Sequence, residues 1–212
     1  MATIDDFVNH TQQFMADNIV LPPARASQSD SIHQQSGVYT MRLIKSARQG
    51  TKVSNGSVCD IYRLEKPDAW NGANAEGDFV GYFCYYETDE VHLLVVDKDA
   101  DLMFTPTMNG CSFGVGAANA KGARMVGHAN VSRVDSTAHG FNGQVNTQNA
   151  QLTSAMPHGT IMDSHAYTPF GTGQSGTTFG IRNSGTGTWG FFTQVWKREG
   201  TTYQHYGVNQ FV

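Results

Sequence analysis

Short runs rich in β-branched and aromatic residues, separated by clusters of Gly, Asn and Asp, constrain the fold of this chain most strongly. Such runs favour strands, and the clusters between them favour turns. A chain of 212 residues with 23 Gly and only seven Leu is also a poor candidate for a helical bundle. We therefore predict an α+β, mainly β fold, in which two packed mixed or antiparallel sheets form a sandwich with a few flanking helices. The strand candidates outside the central region are Gly37–Ile44, Cys59–Leu64, Phe79–Tyr86, Val91–Asp97, Thr177–Arg182, Thr188–Lys197 and Thr201–Val212.

Composition does not shift along the chain, so we predict one domain over residues 1–212. Residues 1–23 predict an N-terminal helix, with Thr3 as N-cap and Asp6 in a capping-box position. The polar residues 24–36 that follow predict a surface loop.

Two neighbouring strand candidates are apolar throughout. Phe79–Tyr86 and Val91–Asp97 are separated by four residues, which is a hairpin length. We expect them to be paired central strands. Residues 136–176 are rich in Gly, Ser, Thr, Asn and His and give no clear element.

Charge and cysteine usage narrow the classes of partner. The net charge is −4 with no run of Lys or Arg, so the sequence predicts no basic surface patch that would bind nucleic acid. No apolar run approaches the ~20 residues that span a bilayer, and the first ten residues lack the basic and apolar regions of a signal peptide. Three cysteines without Cys-x-x-Cys spacing indicate neither a disulfide framework nor a zinc module. We expect a cytoplasmic monomer without cofactor, metal, nucleic-acid or membrane partner.

The most informative segment is a predicted hairpin that carries a cysteine and a histidine. Cys111–Ala118 alternates with Cys111, Phe113 and Val115 on one face, and Ala123–Val134 is the returning strand. A turn centred between Asn119 and Ala120 would place Cys111 directly opposite His128. This register is an expectation, because a slip of one residue would turn His128 to the other face.

A thiol beside an imidazole can act as a nucleophile, because the imidazole takes the proton and stabilises the thiolate. Gly110 permits a tight turn before Cys111, and we expect the main-chain N–H of Cys111 or of a neighbour to face a developing oxyanion. Asn130, two residues after His128, is a candidate to orient the imidazole, and a backbone carbonyl would serve equally. The alternative is that Cys111 is a small buried core residue, since free cysteines in strands commonly are.

The segments MFTPTMNGC and VGHAN resemble the catalytic hairpin of the bacterial glutamine-deamidase toxins. That family comprises Burkholderia lethal factor, the catalytic domain of cytotoxic necrotizing factor and, more distantly, the chemotaxis deamidases. Its pattern is a Ser-Gly-Cys turn, a strand and a downstream His, with a Thr six positions before the Cys in the lethal factor. Thr105, Gly110, Cys111 and His128 match this pattern. Asn109 stands where the family has Ser, and the Cys-to-His spacing is longer.

The resemblance implies a two-sheet sandwich and a toxin or effector that hydrolyses a protein glutamine to glutamate through a thioester. It implies Cys111, His128 and Thr105 as catalytic residues. The turn or oxyanion residues would be Gly110, Asn109 and Ser112. The partner would be a host-cell protein such as a translation factor or small GTPase, reached without a cleavable signal peptide. Two alternatives stay open: another Cys–His enzyme (protease, acyltransferase or transglutaminase), or a non-enzymatic β-sandwich binding protein.

One further cluster contains possible metal ligands. His158, Asp163 and His165 lie within eight residues, but their spacing matches no metal motif. We interpret them as residues of an exposed loop and predict no metal site.

Overall fold

The computed structural model describes residues 3–22, 36–65, 77–131, 140–168 and 173–212. Residues 24–35 of the predicted surface loop lie outside the described residues. The helices are α1 (Ile4–Asn9), α2 (Thr11–Asp17) and α3 (Gly140–Ala155), with a short 3₁₀ helix at Ser164–Ala166. The strands are β1 (Ile19–Leu21), β2 (Gly37–Lys52), β3 (Val58–Glu65), β4 (Asp78–Phe83), β5 (Glu90–Val96), β6 (Leu102–Phe104), β7 (Ser112–Ala118), β8 (Arg124–Asn130), β9 (Thr160–Met162), β10 (Ser175–Arg182), β11 (Trp189–Glu199) and β12 (Thr202–Gln210).

Six strands form a closed barrel, so the predicted α+β two-sheet sandwich is wrong. The ring runs β2, β12, β11, β10, β6, β4 and returns to β2, with β3 and β1 added alongside β2. The closure depends on the length of β2. Its first half pairs with β4 and its last residues pair in parallel with β12. The strand candidates in the sequence indicate the mostly β content. They do not indicate which strands pair with one another, and the barrel depends on that pairing.

A second sheet of four strands lies beside the barrel in the order β5, β8, β7, β9. The predicted hairpin between Phe79–Tyr86 and Val91–Asp97 is wrong, because β4 belongs to the barrel and β5 to this second sheet. β5 is also an edge strand rather than a central one. One face of the second sheet packs against the barrel and the other against α3.

The interior of the barrel is apolar, and the N-terminal helices contribute to it. Phe7, Phe14 and Met15 join one buried cluster with side chains from five of the six ring strands, and the partly buried Val208 of β12 packs against it. The capping box of Thr3 and Asp6 is confirmed. The single helix predicted over residues 1–23 is wrong, because α1 and α2 are separate and the chain then forms β1.

Helix α3 approaches the second sheet closely because the sheet carries glycines beneath it. A Cβ at Gly127 would lie 2.9 Å from side-chain atoms of Leu152 and Met156, and one at Gly114 would lie 2.6 Å from Met156. Only Val145, Gln148 and Leu152 of α3 are buried, so this segment has little of the apolar periodicity that predicts a helix. Within the described ranges, no helix has the length and apolar character to cross a membrane.

Candidate functional site

The β7–β8 hairpin exists, but its register differs from the predicted one. Phe113, not Cys111, pairs with His128, so the predicted Cys111–His128 pair is wrong by two residues. The cause is a wider turn, closed by the Ala118–Arg124 pair, together with a β-bulge between Val115 and Ala118. The side-chain oxygen of Asn119 accepts hydrogen bonds from the N–H groups of Lys121 (2.8 Å) and Ala123 (3.1 Å), which moves the turn centre along the chain.

The predicted alternation of β7 is confirmed. Cys111, Phe113 and Val115 belong to the buried cluster between the second sheet and the barrel. Ser112 faces the other way and donates a 2.9 Å hydrogen bond to Gln148 of α3. His128 lies directly across from Phe113 and so shares the barrel-side face with Cys111. The two residues are therefore diagonal neighbours, a relation that typically separates Cα atoms by about 7–8 Å.

The turn before Cys111 is held by two buried side chains from other parts of the chain. Gly110 has a φ of +92°, which a residue with a side chain adopts only at a cost. The Tyr167 hydroxyl accepts from the Gly110 N–H (3.0 Å) and donates to the Cys111 carbonyl (2.7 Å). The Gln148 amide donates to the Gly110 carbonyl at 3.1 Å. These bonds fix the backbone direction on both sides of the thiol.

The Cys111 thiol is neutral in this conformation. The side chain is 4% exposed, and burial raises the pKa of Cys111 to about 12. The Asn109 main-chain N–H acts in the opposite direction and lowers the pKa, because it stabilises the thiolate. The turn thus already offers one donor to a sulfur anion, and burial outweighs it.

The His128 imidazole is also neutral. It is fully buried, and this burial, followed by the charge of the facing His92, lowers the pKa of His128 to about 3. Neither ring nitrogen makes a well-formed hydrogen bond with the described residues, and the nearby Cys84 backbone raises the pKa but offsets only part of the effect of burial. The Tyr86 ring lies against it, with ring centroids 4.9 Å apart. Asn130, predicted to orient the imidazole, does not hydrogen-bond to it.

The two pKa values decide the protonation state of the pair. Burial disfavours the thiolate of Cys111 and the imidazolium of His128 alike, so transfer of the proton from sulfur to the ring is unfavourable in this conformation. The described conformation therefore holds a neutral thiol and a neutral imidazole rather than an ion pair.

The other predicted site residues lie around the same turn. Thr105 is fully buried, and its hydroxyl donates to the carbonyl of Pro106 (2.9 Å) rather than to the imidazole. Asn109 is exposed at the outer side of the turn. Thr105 and Asn109 are thus near the thiol along the chain, while His128 lies on the next strand, diagonal to Cys111.

Two groups of possible metal ligands lie outside this turn. Asp163 contacts His165 (3.4 Å), and the other ring nitrogen of His165 lies 3.1 Å from Asn142, while His158 stands apart in an exposed turn. Glu87, Glu90 and His92 bring one ligand atom each within 4.8 Å of one another near the solvent-exposed start of β5.

A groove of about 550 Å³ runs between α2 and the barrel, and none of the predicted site residues line it. No protein-family model matches the chain, and no curated protein matches it. The resemblance to the deamidase toxins therefore rests on the motif residues alone.

Sequence reasoning missed three residues of this site: Gln148, Ser164 and Tyr167. All three fall in the segment of residues 136–176 to which no element was assigned. A tyrosine in a Gly- and Thr-rich stretch and a glutamine in a polar helix carry no signal of burial. Only the packing of α3 and of the 3₁₀ helix against β7 reveals them.

Proposed function

We propose that the protein is a cysteine-dependent glutamine deamidase, with Cys111 as nucleophile and His128 as general base. The observation that supports this most is the placement of Cys111. It follows a left-handed glycine turn and shares a sheet face with the buried His128 imidazole, whose ring nitrogens make no well-formed hydrogen bond with the described residues. The Asn109 N–H directed at the sulfur adds a thiolate donor.

In the first half-reaction, the Cys111 sulfur attacks the carboxamide carbon of a glutamine side chain. His128 accepts the thiol proton and passes a proton to the amide nitrogen, so that the C–N bond breaks and ammonia leaves. The Gly110 N–H already donates a hydrogen bond to the Tyr167 hydroxyl. We therefore assign the Cys111 N–H as the donor to the developing oxyanion. The product is a thioester on Cys111.

In the second half-reaction, His128 takes a proton from water, which attacks the thioester carbon. Glutamate leaves and the thiol is restored. The net change is glutamine plus water to glutamate plus ammonia. Because the resting thiol and imidazole are both neutral and buried, substrate binding has to open the turn and bring sulfur and imidazole into contact.

The test is peptide mass spectrometry on eukaryotic lysate treated with the protein or with Cys111→Ala. We expect a specific glutamine converted to glutamate by the wild type and not by Cys111→Ala. The matched control is Cys59→Ala, which removes another free, buried cysteine in β3 and should leave the conversion unchanged.

The outcomes separate the alternatives. Cross-linked glutamine side chains would indicate a transglutaminase, and cleaved peptides a protease. Conversion that persists in Cys111→Ala would refute the nucleophile. If a folded wild type changes no glutamine, the deamidase proposal fails and a structural role for Cys111 in a binding protein is favoured.

A further inference from the structure

We propose that the Ser164 hydroxyl is a further functional group of the Cys111 site, where it donates a hydrogen bond to the sulfur as negative charge develops. For its effect on turnover, this inference rests on the proposed function. Its effect on the thiol does not. Nothing in the sequence pattern assigned Ser164 any role.

The end of the β7–β9 ladder carries the chain towards Cys111. Phe113 pairs with Met162 in an antiparallel arrangement, and this is the last pair of the ladder. Asp163 keeps an extended backbone (φ −88°, ψ 174°) before the 3₁₀ helix begins at Ser164. The extended path brings Asp163 towards the level of Ser112, and we infer that it brings Ser164 towards the level of Cys111.

Contacts with α3 support this path. Ser112 bonds to Gln148, and Asp163 accepts from the next helix residue, Asn149, at 3.3 Å. Ser112 and Asp163 therefore share the helix side of the sheet. Because side chains alternate, Cys111 and Ser164 share the barrel side.

A second contact fixes the segment after Ser164 against Cys111. The Tyr167 N–H bonds to the Ser164 carbonyl, and the Tyr167 hydroxyl donates to the Cys111 carbonyl. The 3₁₀ helix that begins at Ser164 is thus tied directly to the nucleophile turn.

The Ser164 hydroxyl lacks the partner that a structural serine would have. The residue is fully buried, and its Oγ has no hydrogen-bond partner in the part of the chain that the structure describes. A buried hydroxyl without a partner destabilises a fold, and alanine would fill the same space without that cost. A local rule broken in this way is typical of functional sites.

The chemistry of the site gives the hydroxyl a use. Burial disfavours the Cys111 thiolate, and the Asn109 N–H is the donor already directed at it. A second donor that meets its acceptor only when the sulfur carries charge stabilises the reacting state and not the resting one. The Thr105 hydroxyl, which the resemblance assigns to this site, is already used by Pro106.

The experiment compares wild type, Ser164→Ala and Ser154→Ala, an exposed serine of α3 as control. Each protein is treated with iodoacetamide across a pH series, and the alkylation of Cys111 is measured relative to Cys59 in the same molecule. Hydrogen bonds to charged groups imply that Ser164→Ala lowers this ratio by about 10-fold or more. The melting temperature should stay equal or rise, because an unpartnered hydroxyl has been removed.

An unchanged or raised ratio in Ser164→Ala would overturn the proposal, as would a clear fall in melting temperature. With an identified substrate, kcat should fall by a similar factor in Ser164→Ala, with KM little changed. If the ratio falls but wild type converts no glutamine, the hydroxyl still serves the thiol and the deamidase proposal alone fails. Ser154→Ala should match wild type in every measurement.

Discussion

Replacing Tyr167 by Phe tests whether the nucleophile turn is held as described. The substitution removes one oxygen atom, which is at once the acceptor for the Gly110 N–H and the donor to the Cys111 carbonyl. Tyr167 is 1% exposed, so water cannot readily replace that oxygen. The ring keeps its place in the apolar cluster, and the loss of stability therefore reports on the two hydrogen bonds.

The expected magnitude follows from two main-chain groups left without partners. Each buried, unsatisfied polar group costs about 1–3 kcal/mol. Removal of the hydroxyl also removes the cost of burying it, which offsets part of this loss. We expect the free energy of unfolding to fall by about 2–4 kcal/mol. With a urea m-value of about 2–3 kcal/mol/M, the unfolding midpoint moves down by about 1 M.

The assay is urea unfolding followed by tryptophan fluorescence and far-ultraviolet circular dichroism. The control is Tyr206→Phe, which removes an exposed hydroxyl bonded to Gln204 at 2.8 Å and should change the free energy of unfolding by less than about 0.5 kcal/mol. A Tyr167→Phe protein as stable as this control would show that the turn does not depend on the hydroxyl.

Two further perturbations test other parts of the fold. Burial, followed by the charge of Lys52, lowers the pKa of His205 to about 4. Below about pH 6.5 the folded state therefore binds fewer protons than the unfolded state. The contribution of His205 to the free energy of unfolding is fully present above that pH, and about 2–3 kcal/mol of it is lost as the pH falls towards 4. Unfolding at pH 7 and pH 5 should show this loss in wild type and a smaller one in His205→Gln; equal losses would contradict it. Gly159→Ala should lower the free energy of unfolding in urea by about 1–3 kcal/mol, because its Cβ would lie 2.9 Å from the carbonyl oxygen of Val115. Gly37→Ala, whose added Cβ would have its nearest neighbour at 3.6 Å, is the control and should be well tolerated in the same assay.

Local patterns in the sequence predicted local structure well. The capping box of Thr3 and Asp6 and the alternation of Cys111, Phe113 and Val115 are confirmed, because each depends on residues close together in the chain. The β7–β8 hairpin was also predictable. Its register was not, since one side-chain oxygen on Asn119 widens the turn and a β-bulge between Val115 and Ala118 shifts the pairing again.

Long-range pairing could not be predicted from the same patterns. The barrel closes because β2 meets both β4 and β12, and no residue of β2 signals two partners. Helix α3 could not be predicted because a polar residue, Gln148, stands among its few buried positions and interrupts the apolar periodicity. The candidate site shows the same limit: Cys111 and His128 are visible in the sequence, but Ser164 and Tyr167 join them only through packing.

The most direct test of the central claim is a trap for the Cys111 thioester. Lysate is incubated with the protein in the presence of hydroxylamine, which attacks a thioester to give a hydroxamate and the free thiol. The account predicts hydroxamate and glutamate at the same glutamine, with the hydroxamate share rising with hydroxylamine and both products absent with Cys111→Ala. Glutamate formed without any hydroxamate, or either product formed by Cys111→Ala, would contradict it.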